Sequence, residues 1–402
     1  MQIDLWNPKS FAAGHPLAQY QWLRENAPVF WHAEPNGPGF WAVTRYQDVW
    51  DVDRNFQAFS SEPTIMIQDP LAGTPATIGG YKMMLMMDPP QHTAYRRLIR
   101  DAFTVGSAGE KTPRLQQLAR QIVNAVIERG ECDFVNDVAG EMPSFVIAEL
   151  MGLPLSDGRE LYKLTETIHS APESLPEGAG AQAVMKMFEY GSKVIAEKRA
   201  RPADDLATKL LTVEVDGRRL EDMEFLLFFL LLVDAGGDTT RNLLSAGFIA
   251  MLEHPEQLAW LRADPATRLN SAREELLRYT TPVIYMRRTA TKDTTVGSQT
   301  IKKGEKAVMY FGSANRDPAK FDRPDTLDLQ RTPNEHIAFG TGAHACLGQH
   351  IARIEIDAII TEVLARMDKM ELAGEPEWLP SNFISGPKKM PVKFEPGKQI
   401  AL

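Results

Sequence analysis

The most constraining feature of the chain is a glycine-rich loop that carries a cysteine. Residues Phe339 to Gly348 read FGTGAHACLG, and the apolar pattern QHIARIEIDAIITEVLARM follows them. Gly340 and Gly342 permit a tight turn with positive φ, and Gly348 would let a flat group approach the backbone closely. A helix should begin near Cys346, where free N–H groups and the helix dipole favour the thiolate that binds metals. Taken alone, the loop also fits a simple turn with a buried thiol.

A second motif, AGGDTT, spans Ala235 to Thr240 between the apolar runs FLLFFLLLV and LLSAGFIAML. Two adjacent glycines cost a helix about 2 kcal/mol relative to alanines, so something must offset them. One interpretation is that a helix stops at Gly236 and a new one is capped by Asp238 or Thr239. In the other, the helix continues, the missing side chains leave room for a macrocycle, and the Thr239 hydroxyl bonds to the carbonyl four residues back.

Together these motifs resemble those of the cytochrome P450 family. AGGDTT lies about 110 residues before the cysteine loop, and the resemblance also covers MMDPPQHTAYRRLIRDAFT and SANRDPAKFDRP. It implies a haem-thiolate monooxygenase in which Cys346 is the axial ligand of a haem b iron and its thiolate favours O–O cleavage. Gly236, Phe339 and Gly348 would lie against the haem. Asp238 and Thr239 would relay protons to iron-bound oxygen.

A haem carries two propionates, which arginine and histidine donors can neutralise. The resemblance implies four such donors, His92, Arg96, Arg288 and His344. His92 and Arg96 are four residues apart in DPPQHTAYRRLIR and therefore share a helix face. Each residue alone would be an ordinary surface charge, and the neighbouring Arg287 makes the assignment of Arg288 ambiguous by one residue.

A further pair, Glu275 and Arg278 in EELLRYTTP, lies at i,i+3 on one helix face. Such pairs are usually solvated and contribute only about 0.2 to 0.5 kcal/mol. The resemblance implies that this pair is structural and is joined by an arginine upstream of the cysteine loop. Arg331 in LDLQRTP is the best match. We expect these three residues to maintain the fold and to take no part in catalysis.

The pattern of elements predicts a mainly α-helical protein with small β-sheets (α+β), organised as one domain over residues 1–402. A hairpin is expected over residues 28–45, and a second β-rich part from Arg287 to Phe311. The pattern between them is helical from about residue 90 to residue 280. The resemblance implies the cytochrome P450 fold, with the haem between the long AGGDTT helix and the helix that follows the cysteine loop.

Composition excludes several other classes of protein. The net charge of −9 argues against a nucleic-acid partner. Two cysteines, Cys132 and Cys346, are too few for a disulfide framework or a zinc site. The longest apolar run, Phe225 to Val233, has nine residues, against the roughly 20 that span a bilayer. The start MQIDLWNPKS also lacks a signal-peptide pattern. We therefore expect a cytoplasmic protein of the soluble bacterial type without a membrane anchor, and the family implies a monomer.

The resemblance also implies where the substrate binds, in a pocket that should be apolar. A hydrophobic alkyl-chain lipid, terpenoid or steroid is expected, with hydroxylation of a C–H bond by O₂ as the default reaction. C–C cleavage, coupling chemistry or non-catalytic ligand binding by the haem are the alternatives. The expected pocket residues are Met83, Met86, Leu232, Val233, Val283, Ile284, Tyr285 and Met286.

Electrons must come from another protein, because the chain contains no flavin or nicotinamide fingerprint. A ferredoxin with its reductase, drawing on NAD(P)H, is the expected partner. Arg97, Arg100 and Arg353 are candidates for its docking face, since charges at the rim of an interface chiefly raise the association rate.

Overall fold

The computed structural model describes residues 1–69, 80–169, 175–215 and 217–402. Helices dominate, as the sequence pattern predicts. The α-helices are α1 Leu17–Asn26, α2 Tyr46–Arg54, α3 Gln91–Arg100, α4 Val105–Glu110, α5 Thr112–Ile127, α6 Glu141–Met151, α7 Leu155–His169, α8 Ala179–Ala200, α9 Leu206–Thr212, α10 Asp222–Glu253, α11 Pro255–Ala263, α12 Pro265–Thr280, α13 Phe311–Ala314 and α14 Gln349–Arg366.

Short strands form five small sheets within the described residues. The strands are β1 Val29–His32, β2 Phe40–Val43, β3 Phe59–Ser60, β4 Glu131–Asp133, β5 Glu214–Val215, β6 Arg218–Arg219, β7 Tyr285–Ala290, β8 Thr294–Val296, β9 Gln299–Ile301, β10 Lys306–Tyr310, β11 Glu371–Leu372, β12 Glu377–Trp378, β13 Pro387–Lys389 and β14 Pro391–Lys393. The largest sheet has the order β1-β2-β10-β7-β3.

The predicted N-terminal hairpin is confirmed. Strands β1 and β2 pair antiparallel with Val29 opposite Val43, and β10 then pairs with β2 in parallel. The predicted second β-rich part supplies β7 to β10, of which β7 and β10 join the N-terminal hairpin in the largest sheet and β8 and β9 pair separately. The helical region between them is confirmed, with β4, β5 and β6 as short interruptions.

Helix α10 runs through the middle of the helical part. The side chain of Glu221 accepts a hydrogen bond from the backbone N–H of Glu224, and the backbone N–H of Glu221 donates to the carboxylate of Glu224. Together these bonds form a capping box. The helix is apolar on nearly all sides, and most of its side chains are buried, as is expected for a helix enclosed by others. Burial of this surface offsets the cost of the glycine pair, so the helix continues through Gly236 and Gly237. The interpretation that it stops there is wrong.

Within the described ranges no single helix is both long enough and apolar enough to cross a membrane. One bent pair, Val135–Met151 with Leu155–Ile168, meets the same criteria of length and composition across a bend of 116°.

Candidate active site

The cysteine loop is built by backbone geometry that its glycines permit. Gly340 and Gly342 have φ values of 65° and 62°, as the sequence predicts. The turn brings the N–H of Cys346 to 2.8 Å from the carbonyl oxygen of Phe339, which accepts its hydrogen bond. Helix α14 then begins at Gln349, with Gly348 as its N-cap. The loop therefore presents Cys346 at the start of a helix.

The environment of the Cys346 sulfur contains opposing influences. Burial raises the pKa of the thiol, whereas the backbone N–H groups of Gly348 and Gln349 and the charges of Arg96 and Arg353 lower it. The expected stabilisation of the thiolate by the helix start is present, but burial outweighs it. A coordinating metal would remove the proton from such a thiol.

The AGGDTT segment exposes one narrow face of α10. Ala235 and Gly236 are exposed and Thr239 is half-buried, whereas nearly all their neighbours on the helix are buried. A Cβ atom placed on Gly236 would meet nothing within 4 Å. The hydroxyl of Thr239 donates a hydrogen bond of 3.2 Å to the carbonyl oxygen of Ala235, as expected. Open space therefore lies against this turn of the helix.

Asp238 points to another side of the same helix. It is 2% exposed, and its Oδ1 atom lies 3.4 Å from Nη2 of Arg241. Arg241 also pairs with Glu166 of α7 at 2.6 Å and packs over the ring of Tyr162. A cavity of about 310 Å³ that includes Lys163, Ser381 and Lys388 in its wall reaches these residues. The buried carboxylate is thus next to a polar cavity.

The four predicted propionate partners lie together. The rings of His92 and His344 are 4.0 Å apart, and Arg96 donates a hydrogen bond of 2.6 Å to the carbonyl oxygen of Ala345. Burial, followed by the charge of Arg96 for His92 and of Arg288 for His344, lowers the pKa of His92 to about 4 and of His344 to about 2. The cluster therefore combines neutral imidazoles with positively charged guanidinium groups.

The strand β7 resolves the ambiguity between the two neighbouring arginines. Arg287 donates a hydrogen bond of 2.6 Å to Asp69. Arg288 instead donates to Asp53 at 2.8 Å, and the other oxygen of Asp53 accepts the backbone N–H of Thr341 in the cysteine loop. Because side chains alternate along a strand, only one of two neighbours can face this loop. That residue is Arg288.

These features fit a haem. The N-terminus of α14 presents a thiol, the turn at Gly236 offers open space for a flat group, and Gly348 likewise leaves the space around it free. In the cationic cluster, Nδ1 of His92 is buried and lacks a hydrogen-bond partner within the described residues. An acidic group would satisfy it. Across the described ranges no cluster of three or more His, Cys, Asp or Glu side chains could hold a bare metal ion.

Comparison with known proteins agrees with this geometry. The family model described as Cytochrome P450 matches residues 159–394. The steroid C26-monooxygenase of Mycolicibacterium smegmatis is 38% identical over 404 residues, covering 99% of this chain and 97% of that protein. The chain belongs to the cytochrome P450 family. It is a P450 monooxygenase with a haem-thiolate cofactor.

Solved structures confirm the P450 fold. The structure of Mycobacterium marinum CYP268A2 in complex with pseudoionone has a TM-score of 0.91 and 36% identity, covering 98% of this chain and 99% of that one. The structure of CYP109E1 from Bacillus megaterium in complex with testosterone has a TM-score of 0.85 and 29% identity, with coverages of 96% and 99%.

The three residues expected to hold this P450 together are in contact. Arg278 donates hydrogen bonds of 2.7 and 2.8 Å to the two carboxylate oxygens of Glu275. Arg331 donates a third at 3.0 Å. Glu275 and Arg278 are 0% exposed. In place of a solvated surface pair, the enzyme has a buried ionic network that joins α12 to the segment before the cysteine loop.

The candidate pocket residues separate into two groups. Val283 and Met286 are half-buried, as are Met83 and Met86 of the segment before α3. Leu232 lies on α10 one turn before Gly236 and is 9% exposed.

The second group is more deeply buried. Ile284 and Tyr285 are 0% and 2% exposed and pack in a core cluster with Tyr20 and Tyr310. The hydroxyl of Tyr285 accepts the backbone N–H of Ile67. Val233 is also only 2% exposed, within the main helical core. All three side chains are thus packed among core residues of neighbouring elements.

The candidate docking arginines differ in their exposure and in their contacts. Arg97 and Arg100 are exposed on α3. Arg353 donates hydrogen bonds of 2.8 and 2.9 Å to both carboxylate oxygens of Glu274. Its charge is therefore paired with an acidic side chain of the enzyme itself.

One buried acid of the P450 was missed. Glu355 of α14 is 5% exposed, is hydrogen-bonded to Thr240 and has its pKa raised by burial to about 8. It connects α14 to α10 beside Thr239. Its position could be inferred from the sequence, because Ile351, Glu355 and Ile359 follow the i, i+4, i+8 spacing of a buried helix face.

Proposed function

We propose that this P450 hydroxylates a C–H bond of a steroid, terpenoid or alkyl-chain lipid, using Cys346 as the axial ligand of its haem iron. The observation that carries this proposal is the placement of two motifs on adjoining helices. The cysteine loop begins α14, and α14 contacts α10 through the Glu355–Thr240 hydrogen bond, one residue from Thr239. Oxygen chemistry at a thiolate-ligated iron would use both motifs, one to hold the iron and the other to deliver protons.

The haem, when bound, supplies a thiolate-ligated iron that activates O₂. His92, Arg96, Arg288 and His344 hold its propionates in this proposal, and Gly236 and Gly348 leave room for its two faces. Phe339 contributes through its carbonyl, which accepts the N–H of Cys346 at 2.8 Å. A bidentate or charge-assisted contact to a carboxylate is stronger than a neutral one. Arg96 and Arg288 should therefore contribute most to retention of the haem.

Thr239 and Asp238 form the proton relay. Thr239 is half-buried on the open face of α10, and its hydroxyl can exchange the bond to the Ala235 carbonyl for one to a ligand in the pocket. Asp238 faces the polar cavity beside Arg241. The aspartate can therefore collect a proton from this cavity, while the threonine orients the last donor in the chain.

The substrate class rests on relatives and on the pocket. Steroid C26-monooxygenases and a P450 bound to pseudoionone are similar over nearly the whole chain. The half-buried side chains of Met83, Met86, Val283 and Met286, together with Leu232, are apolar, and methionine adapts its shape readily. A hydrophobic ligand with few polar anchors suits such a wall.

The redox partner in this proposal is a ferredoxin that binds beside Cys346. A cavity of about 320 Å³ there is lined by Arg96, Arg100, Phe103, Val105 and Cys346, among others. Val105 is 68% exposed, which offers an apolar contact next to positive charge. Ferredoxin reductase and NAD(P)H would supply the electrons. We further propose that residues 1–402 act as one domain, monomeric and cytoplasmic.

The first test is the absorption spectrum of the dithionite-reduced protein with and without carbon monoxide, for the wild type and Cys346→Ser. A strongly red-shifted Soret band that is lost in the variant supports the thiolate ligand. An unchanged band would refute it. Titration with a steroid and with pseudoionone then tests the substrate class. A spin-state shift with small polar aromatics alone would contradict that part of the proposal, and product analysis with a surrogate ferredoxin distinguishes hydroxylation from C–C cleavage or coupling.

A further inference from the structure

Glu274 of α12 is a hub of cationic contacts near the cysteine loop. Its carboxylate accepts hydrogen bonds of 2.8 and 2.9 Å from Arg353 and of 2.8 Å from Arg273. It also lies 3.1 Å from Nε2 of His336. Burial opposes ionisation, yet the hydrogen bonds from Arg353 and His336 hold the pKa of Glu274 well below its ordinary value. The negative charge at this position is therefore permanent.

Arg353 connects this charge to both sides of the cysteine loop. Its guanidinium carbon lies 4.6 Å from the centre of the Phe339 ring, at the start of the loop. Its Nη1 atom donates to the backbone and side-chain oxygens of Gln349, both at 3.2 Å, at the start of α14. Because Phe339 also accepts the N–H of Cys346, a single guanidinium braces the segment that carries the sulfur.

The same side chain acts on the sulfur electrostatically. Its positive charge lies against Phe339 and Gln349, which flank Cys346 in the chain. Glu274 holds Arg353 in a bidentate pair, which fixes the position of the cation and offsets part of its field. The two charges therefore oppose each other at the sulfur, since Arg353 favours a negative charge there and Glu274 disfavours it.

We propose that the Glu274–Arg353 pair is a positioning unit that sets the electron affinity of the haem iron through Cys346. Arg353 draws electron density from the sulfur and raises the reduction potential. Glu274 limits this effect. Net charge and contacts at the ligating sulfur are among the features by which proteins set such potentials. The inference rests on the proposed role of Cys346 as the iron ligand.

The test is a spectroelectrochemical titration of haem-loaded variants, with the midpoint potential as the readout. We expect Glu274→Gln to raise the potential and Arg353→Gln to lower it, each by at least a threefold change in the ferric–ferrous equilibrium, about 28 mV at 59 mV per tenfold. The double variant should return towards the wild-type value. Arg353→Lys keeps the charge and should shift the potential less than Arg353→Gln.

The matched control is Glu362→Gln. Glu362 is also a paired carboxylate, on α14 itself, with Arg120 at 3.3 Å and Arg366 at 3.4 Å, but it does not contact the loop residues named above. Its removal should leave the potential unchanged. If Glu274→Gln and Arg353→Gln shift the potential in the same direction, or no further than the control does, the inference is overturned.

Failure of the inference can be told apart from failure of the proposed function. If Cys346 does not ligate the iron, Cys346→Ser leaves the Soret band unchanged. If Cys346 is the ligand and only the inference fails, that band changes while the potentials of the Glu274 and Arg353 variants stay at the control value. If a glutamine variant does not take up haem, a conservative variant replaces it. Glu274→Asp should then raise the midpoint potential and Arg353→Lys should lower it, and a shift of opposite sign in either overturns the inference.

Discussion

Glu355→Gln offers the sharpest test of the energetics of this fold. Glu355 is buried between α14 and α10, and its Oε2 atom has no hydrogen-bond partner among the described residues. Burial raises its pKa from 4.5 to about 8. At neutral pH the carboxyl group is therefore mostly protonated in the folded enzyme and ionised in the unfolded chain.

The sign and size of the effect follow from this difference. Between pH 4.5 and 8 the folded state holds one proton that the unfolded state has released. The stability that Glu355 contributes is therefore complete below pH 4.5 and is lost as the pH rises to about 8. At about 1.4 kcal/mol per pH unit, the whole shift corresponds to roughly 5 kcal/mol.

A narrower range of pH isolates this residue. Burial and neighbouring charges lower the pKa of His15 and His92 to about 4, so their opposite contribution ends near pH 6.5. Burial raises the pKa of Asp357 to about 6, so the stability of the fold no longer changes with pH through Asp357 above pH 6.5. Between pH 6.5 and 8 the wild type should lose about 2 kcal/mol through Glu355. For a chain of 402 residues, this is a decrease of about 2 to 3 °C in Tm.

The assay is thermal unfolding of the haem-loaded enzyme at pH 6.5 and 8.0, followed by far-UV circular dichroism and by the Soret band. Glu355→Gln keeps the shape of the side chain and cannot ionise. The Tm of this variant should therefore not show the decrease of the wild type between pH 6.5 and 8.0. The exposed residue Glu375 provides the control, since Glu375→Gln should behave as the wild type does. An equal decrease in Tm for the wild type and Glu355→Gln would refute the buried, protonated carboxyl group.

Three further predictions concern the site and its support. Glu275→Gln removes the carboxylate that Arg278 and Arg331 share, and it should lower the free energy of unfolding by about 3 to 5 kcal/mol, measured by urea denaturation. The control is Lys369→Gln, which breaks an exposed ion pair and should cost less than about 1 kcal/mol. Thr239→Val keeps the shape of the side chain and loses the hydroxyl, so a larger share of the electrons from NADH should end in hydrogen peroxide and a smaller share in product. An unchanged ratio of product to consumed NADH would contradict the relay. Arg288→Gln should release haem to apomyoglobin about tenfold faster than the wild type, whereas an equal rate would exclude a propionate contact.

Much of the site could be read from local sequence. The turn at Gly340 and Gly342 depends on backbone conformations that glycine adopts readily, so the amino-acid sequence alone predicted this turn. The neighbours of Arg288 could not be assigned in this way, because two adjacent arginines are equivalent until the pairing of the strand places one of them beside Asp53. The burial of Ile284 and Tyr285 could not be read locally either, since it depends on the elements that pack against them.

The sequence by itself determined the family, the haem-thiolate chemistry and the helical framework, because these depend on short motifs and on periodicity along the chain. Only the tertiary structure decided how charges are compensated. Glu274 meets Arg353 and His336, which are 79 and 62 residues away, and Glu355 meets Thr240 across two helices. Such contacts leave no local pattern, because the energy of a buried charge is set by whichever distant groups the fold brings to it.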